Sequence, residues 1–416
     1  MSLARASLWT ACSTLVKILA GLVVVKLLAV EYGPQGVGLA GNFRQLITVL
    51  GVLAGAGIFN GVTALIAERQ RQPEALRAVA GSASAMVLGF SLLLAALFLL
   101  FAPPISQALF GRQDYAGVIR IVALLQVGIA WANLMLAIIK GYRDASANAL
   151  ALSIGSIAGV LAWLCCHWLG GYRGALVGLA MVPALVVLPA SWLVLRREHF
   201  PWHYLRPRWQ PEVVMTLGKY TLMAVITAAT LPVAWIMMRN QLAAQAGWSQ
   251  VGIWLGVTSI SDAWLQFITA SFSVWLLPTL ARLQDKAAIS REIGRTLLFV
   301  LPLVTAVACL VWLLRDVAIW LLFSPQFLPM RDLFIWQLPG DVLKVGAYVF
   351  GYLVIAKAAL RIYILTEISQ FALLLGFSHW LIPLNGTRGA AQAYMATYVV
   401  YFALCVSAFL IYRLRK

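Results

Sequence analysis

A set of ionisable side chains lies inside stretches of sequence too apolar to hold them comfortably: Lys17, Lys26, Arg44, Arg120, Lys219, Arg239 and Lys344, with Asp262, Asp341 and Glu367. Lysine and arginine gathered away from water are the natural partners of phosphate and carboxylate. Carboxylates in the same setting tune those cations or carry a coupling proton. A charge at the centre of a bilayer costs at least about 2.5–3.5 kcal/mol on insertion scales, so each of these groups needs a reason. Arg239, Arg120, Arg44 and Lys219 lie within two turns of a span end, where a long side chain can snorkel to the interface. Lys17, Asp262, Asp341 and Lys344 are too deep for that and are expected to face one another or a water-filled cavity. Asp341 and Lys344 are three residues apart on one helix, so a local ion pair is the competing account. Glu367 with Gln370, and Asp262 with Gln266, repeat the same polar spacing on two further helices and favour a shared lumen. Cations outnumber acids in this set, which suits an anionic cargo better than a cationic one.

Catalytic and metal chemistry find no comparable support. The cysteines (Cys12, Cys165, Cys166, Cys309 and Cys405) sit in apolar runs without paired spacing, and the four histidines form no ligand pattern. No Ser/His/Asp constellation or phosphate-binding glycine loop is present. No cofactor or metal is expected.

The elements that carry these charges follow from composition. Of 416 residues, 62% are hydrophobic and 11% charged, far from the balance of a soluble domain. Crossing the hydrocarbon takes about 20 apolar residues as a helix, and qualifying runs follow one another from Leu8 to Tyr412. Period-two alternation, the mark of a barrel, is missing. The sequence predicts an all-α polytopic membrane protein of twelve transmembrane helices, at 8–30, 39–67, 78–101, 116–140, 147–169, 173–195, 213–239, 249–281, 292–314, 332–356, 361–381 and 388–412. The first run is long enough to span and is interrupted by Lys17, so it reads as a helix and not as a cleaved signal. Turn chemistry falls between spans at Tyr32-Gly33-Pro34, Ala102-Pro103-Pro104, Gly170-Gly171 and Asn385-Gly386.

The net charge of +17 would suggest nucleic acid in a soluble chain, but here it belongs to the loops. With the N-terminus inside, the cytoplasmic side collects Arg5, Arg69, Arg71, Arg77, Lys140, Arg143, Arg196, Arg197, Arg206, Arg208, Arg282, Lys286, Arg291, Arg295, Lys357, Arg361, Arg413, Arg415 and Lys416. The opposite side keeps only Arg112, Arg173, Arg315, Arg331 and Arg388. Both termini are therefore expected in the cytoplasm. The longest basic link divides the chain into a lobe at 1–195, a linker at 196–212 and a lobe at 213–416, and its Pro201, Trp202, Tyr204, Pro207 and Trp209 suit the headgroup layer. Gln35-Gly36-Val37-Gly38 and Gln250-Val251-Gly252 open the second helix of each half, a faint echo of an internal repeat. Pro183, Pro189, Pro232, Pro278, Pro302 and Pro339 fall inside spans and are expected to kink them.

Asn42-Phe43-Arg44-Gln45-Leu46-Ile47-Thr48, Gly340-Asp341-Val342-Leu343-Lys344-Val345-Gly346 and Ala391-Gln392-Ala393-Tyr394-Met395 are long, uncommon strings. In them, and over essentially its whole length, the chain resembles the polysaccharide-lipid flippases of enteric bacteria. That resemblance implies the multidrug/oligosaccharidyl-lipid/polysaccharide exporter fold, with two six-helix lobes forming a V around a central cavity. It implies an undecaprenyl-pyrophosphate-linked trisaccharide as cargo, moved by alternating access with coupling to a proton or sodium gradient. It also implies a monomer among membrane lipids of the bacterial inner membrane, with the polymerase and chain-length regulator of the same pathway as partners and no nucleic acid. Lys17, Arg44, Lys219 and Lys344 would then contact pyrophosphate or uronate, with Lys26 and Arg239 as weaker contacts. Asp262, Asp341 and Glu367 would tune those cations or carry the coupling ion. Two rivals stand beside this reading: a multidrug or cation antiporter of the same architecture, and a membrane enzyme that polymerises or ligates lipid-linked glycans. The cationic surplus weighs against the first and the short outer loops against the second.

Overall fold

The computed structural model describes residues 3–197, 200–357 and 359–414. Glu198 and His199 in the basic link, Arg415 and Lys416, and the side chains of Arg5 and Pro278 lie outside the described residues. Helices follow one another almost without interruption, and no strand occurs among the described residues. The chain is an all-α polytopic membrane protein. Its helices are α1 (Leu3–Leu53), α2 (Phe59–Arg69), α3 (Pro73–Leu100), α4 (Ala102–Phe110), α5 (Ala116–Gly141), α6 (Ala145–Ala184), α7 (Val187–Leu195) and α8 (Pro211–Ala229). They continue as α9 (Leu231–Ala246), α10 (Trp248–Ser271), α11 (Leu277–Arg282), α12 (Lys286–Leu313), α13 (Arg315–Leu322), α14 (Phe334–Ala356) and α15 (Leu360–Leu414).

Nine helical stretches among the described residues are long and apolar enough to span a bilayer. Three of them are broken in the same way, at Gly33 (φ 60°), Gly171 (φ 55°) and Gly386 (φ 55°). These breaks fall on the expected turns and divide the nine stretches into the twelve spans that the sequence predicts. Only glycine adopts this backbone without strain. Gly386→Ala is therefore expected to destabilise the protein by about 1–3 kcal/mol, read as a lowered unfolding temperature in detergent.

Chain contacts divide the protein into two compact units. One holds residues up to Leu28 together with Asn42–Pro232; the other holds Ala29–Gly41 and the chain from Val233 onward. In the first unit α5 is central and packs on α2, α3, α6 and α7, and 61% of its apolar window is buried against 33% for α3. In the second unit α14 packs on α10, α12 and α15. Leu124, Leu161, Leu298 and Trp320 remain exposed on the outer surfaces, as helices solvated by lipid require.

The segments around Gly38 and Gly252 prove to be neighbours inside the second unit. A Cβ at Gly38 would overlap the Trp248 carbonyl, and one at Gly252 would overlap the Pro34 carbonyl. Small residues here let two backbones touch. The prolines behave in two ways. Pro183 and Pro189 flank the interruption between α6 and α7, and Pro232 follows the non-helical Thr230, whereas Pro302 and Pro339 sit inside continuous helices.

The basic link is a strap on the first unit. Phe200 is fully buried and meets Tyr142 edge-on at 6.3 Å. Arg197 pairs with Asp144 at 2.6 Å, with its guanidinium 4.8 Å from the Tyr142 ring. The Arg208 and Gln210 amides donate to the Gly81 carbonyl (3.1 Å) and the Ser82 hydroxyl (3.3 Å). Trp202 and Trp209 stay exposed, as interfacial anchors do. Burial alone would raise the Asp144 carboxyl, but the Ala147 amide, the Ser146 hydroxyl and Arg197 outweigh it and hold the group below its ordinary 3.8. A depressed carboxylate stabilises the folded form above its ordinary value and loses that contribution as pH falls through the lowered one. Asp144→Asn is expected to speed hydrogen exchange across the strap at pH 7, and the difference from wild type should vanish once Asp144 itself is protonated.

Candidate functional site

Two polar clusters interrupt the apolar interior, one inside each unit. In the second unit α14 brings Asp341 and Lys344 onto the face it turns toward α10 and α15. Asp341 is completely buried and accepts hydrogen bonds at Oδ1 from the Tyr394 hydroxyl (2.7 Å) and Gln337 Nε2 (3.3 Å). Its other oxygen, Oδ2, is buried with no well-formed hydrogen bond. Lys344 reaches into a cage of tyrosines, its Nζ 5.5 Å from the ring centres of Tyr394 and Tyr398 and 5.9 Å from that of Tyr348. Ring faces at these distances attract a cation.

Local sequence explains the arrangement. Tyr394, Tyr398 and Tyr401 recur at helical spacing on α15 and are all buried. A Cβ at Gly340 would overlap the Tyr394 ring, so glycine there lets the phenol lie beside Asp341. Trp235 stacks on Trp254 at 5.8 Å and lies 6.0 Å from Tyr394, closing the cluster with aromatic walls. Asp262 on α10 is exposed and acts electrostatically on both Asp341 and Lys344.

The ion pairs among the described residues are Arg112–Asp114, Arg197–Asp144, Arg331–Asp316 and Arg388–Asp332, which lie at helix ends and loops. Asp341 and Lys344 are not among them: they feel each other's charge, but each makes its close contacts with tyrosines. Glu367 is half-buried on α15 with Gln370 buried one turn away. Arg239 is buried in this unit and donates to the Gly41 carbonyl at 3.5 Å, beside Leu255.

In the first unit a cavity of about 280 Å³ lies between the end of α1, the start of α2 and α5. Thr48, Gly51, Phe59, Asn60, Thr63, Asn133 and Lys140 are among its lining residues. Asn133 Nδ2 donates to the Gly51 carbonyl (2.8 Å), and the Thr63 hydroxyl bonds the Ala137 carbonyl (3.1 Å). Lys17 acts electrostatically on Lys140. Arg44 lies on the Thr48 face of α1, one turn away, where its carbonyl accepts from the Thr48 hydroxyl (3.0 Å). Lys26 is half-buried on α1, while Lys17, Arg120 and Lys219 are exposed.

Sequence reasoning placed Lys140 in a loop and left Asn60, Asn133 and the tyrosine cage unassigned. The recurrence of tyrosine at 394, 398 and 401 was the one available signal for the cage. Nothing local marks Lys140, which sits at the end of an apolar run like many interfacial lysines.

Buried charge is concentrated in the second unit, at Arg239 and Asp341, and solved structures share the helical fold. The chain superposes on a MATE transporter in complex with MaD3S (TM-score 0.74, 16% identity, covering 99% of this chain and 95% of that one). It also superposes on the inward-facing form of a multidrug resistance MATE family transporter of the MOP superfamily (TM-score 0.73, 16% identity, 96% and 94% covered). These likenesses give the chain the fold of the MATE transporters. Residues 3–284 match the family model described as polysaccharide biosynthesis protein. Over 415 residues and 100% of both chains, the sequence is 65% identical to the lipid III flippases of Escherichia coli (strain K12) and Shigella flexneri. The chain belongs to this flippase branch of the polysaccharide biosynthesis proteins and is a transporter, not an enzyme.

Proposed function

We propose that the chain flips lipid III of enterobacterial common antigen, an undecaprenyl-pyrophosphate-linked trisaccharide, from the cytoplasmic to the periplasmic leaflet of the inner membrane. The observation that carries this reading is the full-length 65% identity to proteins named lipid III flippase. The chemistry of the interior agrees with it. The cargo carries a diphosphate and a uronic carboxylate, and cations set in polar surroundings are what such groups require. Lys17, Arg44 and Lys219 are the contacts in the first unit and Lys344 in the second, with Lys26 and Arg239 secondary. The prenyl tail stays in lipid, where the exposed apolar helix faces solvate it.

The reading extends to mechanism. The two halves, separated by the strap at 196–212, exchange access between the two sides of the membrane. Both termini lie in the cytoplasm, as the loop charge requires. Asp341, with Asp262 and Glu367, carries the coupling proton or sets the charge of the cations; the completely buried Asp341 carboxyl is where a proton would reside. The protein works as a monomer and hands its product to the polymerase and chain-length regulator.

Purified protein in proteoliposomes is the test. Translocation of a defined lipid-linked trisaccharide, accelerated by an imposed pH or sodium gradient, is the expected result. Transport of cationic drugs with no movement of the lipid would overturn the reading in favour of a multidrug antiporter. Translocation indifferent to both gradients would remove the coupling role of the acids and leave the cargo intact.

A further inference from the structure

The break between α1 and α2 is held against its own backbone preference. Ala56 (φ 56°) and Gly57 (φ 66°) are both left-handed. For alanine this costs about 1–2 kcal/mol. The turn is nevertheless fixed in the core: Ala54, Ala56 and Ile58 are essentially inaccessible, and a Cβ at Gly57 would overlap Ala224 of α8. A helix that simply needed to cross the membrane would run straight through. Here the interruption sets Gly51 and Val52 on one side of the 280 Å³ cavity and Phe59, Asn60 and Thr63 on the other, with Asn133 and Lys140 from α5 closing it.

The charge of this cavity is one-sided. Among the described residues no carboxylate lines it, and Lys17 acts on Lys140 through its like charge. Neither lysine has an ion-pair partner among the described residues. Two like charges within electrostatic reach of each other are better accommodated when an anion joins them. The neutral lining supplies hydrogen-bond donors. Asn60 is exposed to the cavity. Asn133 spends one amide hydrogen on the Gly51 carbonyl and keeps the other. The Thr48 hydroxyl, committed to the Arg44 carbonyl, has only lone pairs to offer and is not a donor. Size sharpens the choice, since pockets that enclose whole small ligands run from about 300 to 1,000 Å³. A slightly smaller, cationic, donor-lined cavity fits one highly charged group of a larger amphiphile.

We propose that this cavity seats the diphosphate of the lipid-linked cargo, with Lys140 as its cationic contact, Lys17 adding to the positive field there, and Asn60 and Asn133 as its hydrogen-bond donors. This assignment rests on the flippase reading above and adds to it a place and a residue, Lys140, that its sequence context hides. The glycan is too large for the same cavity and extends away from it. The start of α2 turns its positive dipole end toward a site that the lysines already define.

The test separates the seat from the function. Full-length protein in detergent is titrated with farnesyl diphosphate, farnesyl monophosphate and inorganic pyrophosphate, and translocation is measured in parallel with the same variants in proteoliposomes. Wild type is expected to prefer farnesyl diphosphate over the monophosphate, with free pyrophosphate competing. Lys140→Gln should weaken diphosphate binding at least tenfold, Lys140→Arg should retain it, and Asn60→Asp, which places a negative charge in the seat, should weaken it further. Asn60 and Lys140 are exposed, so unchanged unfolding temperatures are expected for all three variants. If Lys140→Gln and Asn60→Asp bind farnesyl diphosphate as wild type does, the seat is wrong, and wild-type translocation would leave the function standing. If the variants lose binding while wild type moves no lipid-linked trisaccharide, the seat stands and the function falls.

Discussion

Lys344→Gln is expected to abolish translocation while leaving a folded protein, a loss of a hundredfold or more in initial rate. The ammonium group lies among three tyrosine faces and beside a completely buried carboxylate. Removing it deletes a cation that the proposed anionic cargo would meet, and leaves Asp341 without its neighbouring positive charge. Stranding a buried charge by deleting its partner costs about 3–5 kcal/mol, so Lys344→Gln alone confounds function with stability. The double variant Asp341→Asn/Lys344→Gln removes both charges and should recover most of the lost unfolding temperature. If the double variant is as stable as wild type yet still inactive, the loss belongs to transport. Full activity in both Lys344→Gln and Lys17→Gln would sink the assignment of these lysines to the cargo.

Gly252→Val should prevent the second unit from assembling. The added side chain meets the Pro34 carbonyl, which is main chain and has no rotamer by which to escape. Overpacking a tight core costs about 1–3 kcal/mol and more where the backbone itself must move. The expected result is loss of monodisperse protein on size exclusion. Gly21→Val, at a glycine with open space around it, is the control and should behave as wild type. Normal yield and unfolding temperature for Gly252→Val would show that residues 29–41 are not anchored to α10 as described.

The glycine segments at 35–38 and 250–252 teach why part of the fold was legible and part was not. Their similarity was visible as a pattern, but that one packs against the other is a contact across some two hundred residues that no local rule encodes. The same holds for the charges. Depth along a span is a one-dimensional quantity, so the sequence could place Asp341 and Lys344 well inside one. Which groups each one touches depends on the rotation of α14 against α15, and there the tyrosines, not a direct ion pair, turned out to be the partners. Arg239, near a span end and able in principle to snorkel, instead lies buried against the Gly41 carbonyl.

By itself the sequence determined the class of molecule, the positions of its helices and the turns between them. Those features follow from hydrophobic length and from residues such as Gly33, Gly171 and Gly386, whose backbone freedom acts locally. Only the tertiary structure decided how charge is distributed inside. It brought Lys140 within electrostatic reach of Lys17, broke the chain at Ala56 to open a cavity beside Asn60, and wrapped Lys344 in tyrosines. The physical reason is range: hydrophobicity and backbone preference act residue by residue, whereas the energy of a buried charge depends on every group that folding brings within a few ångströms of it.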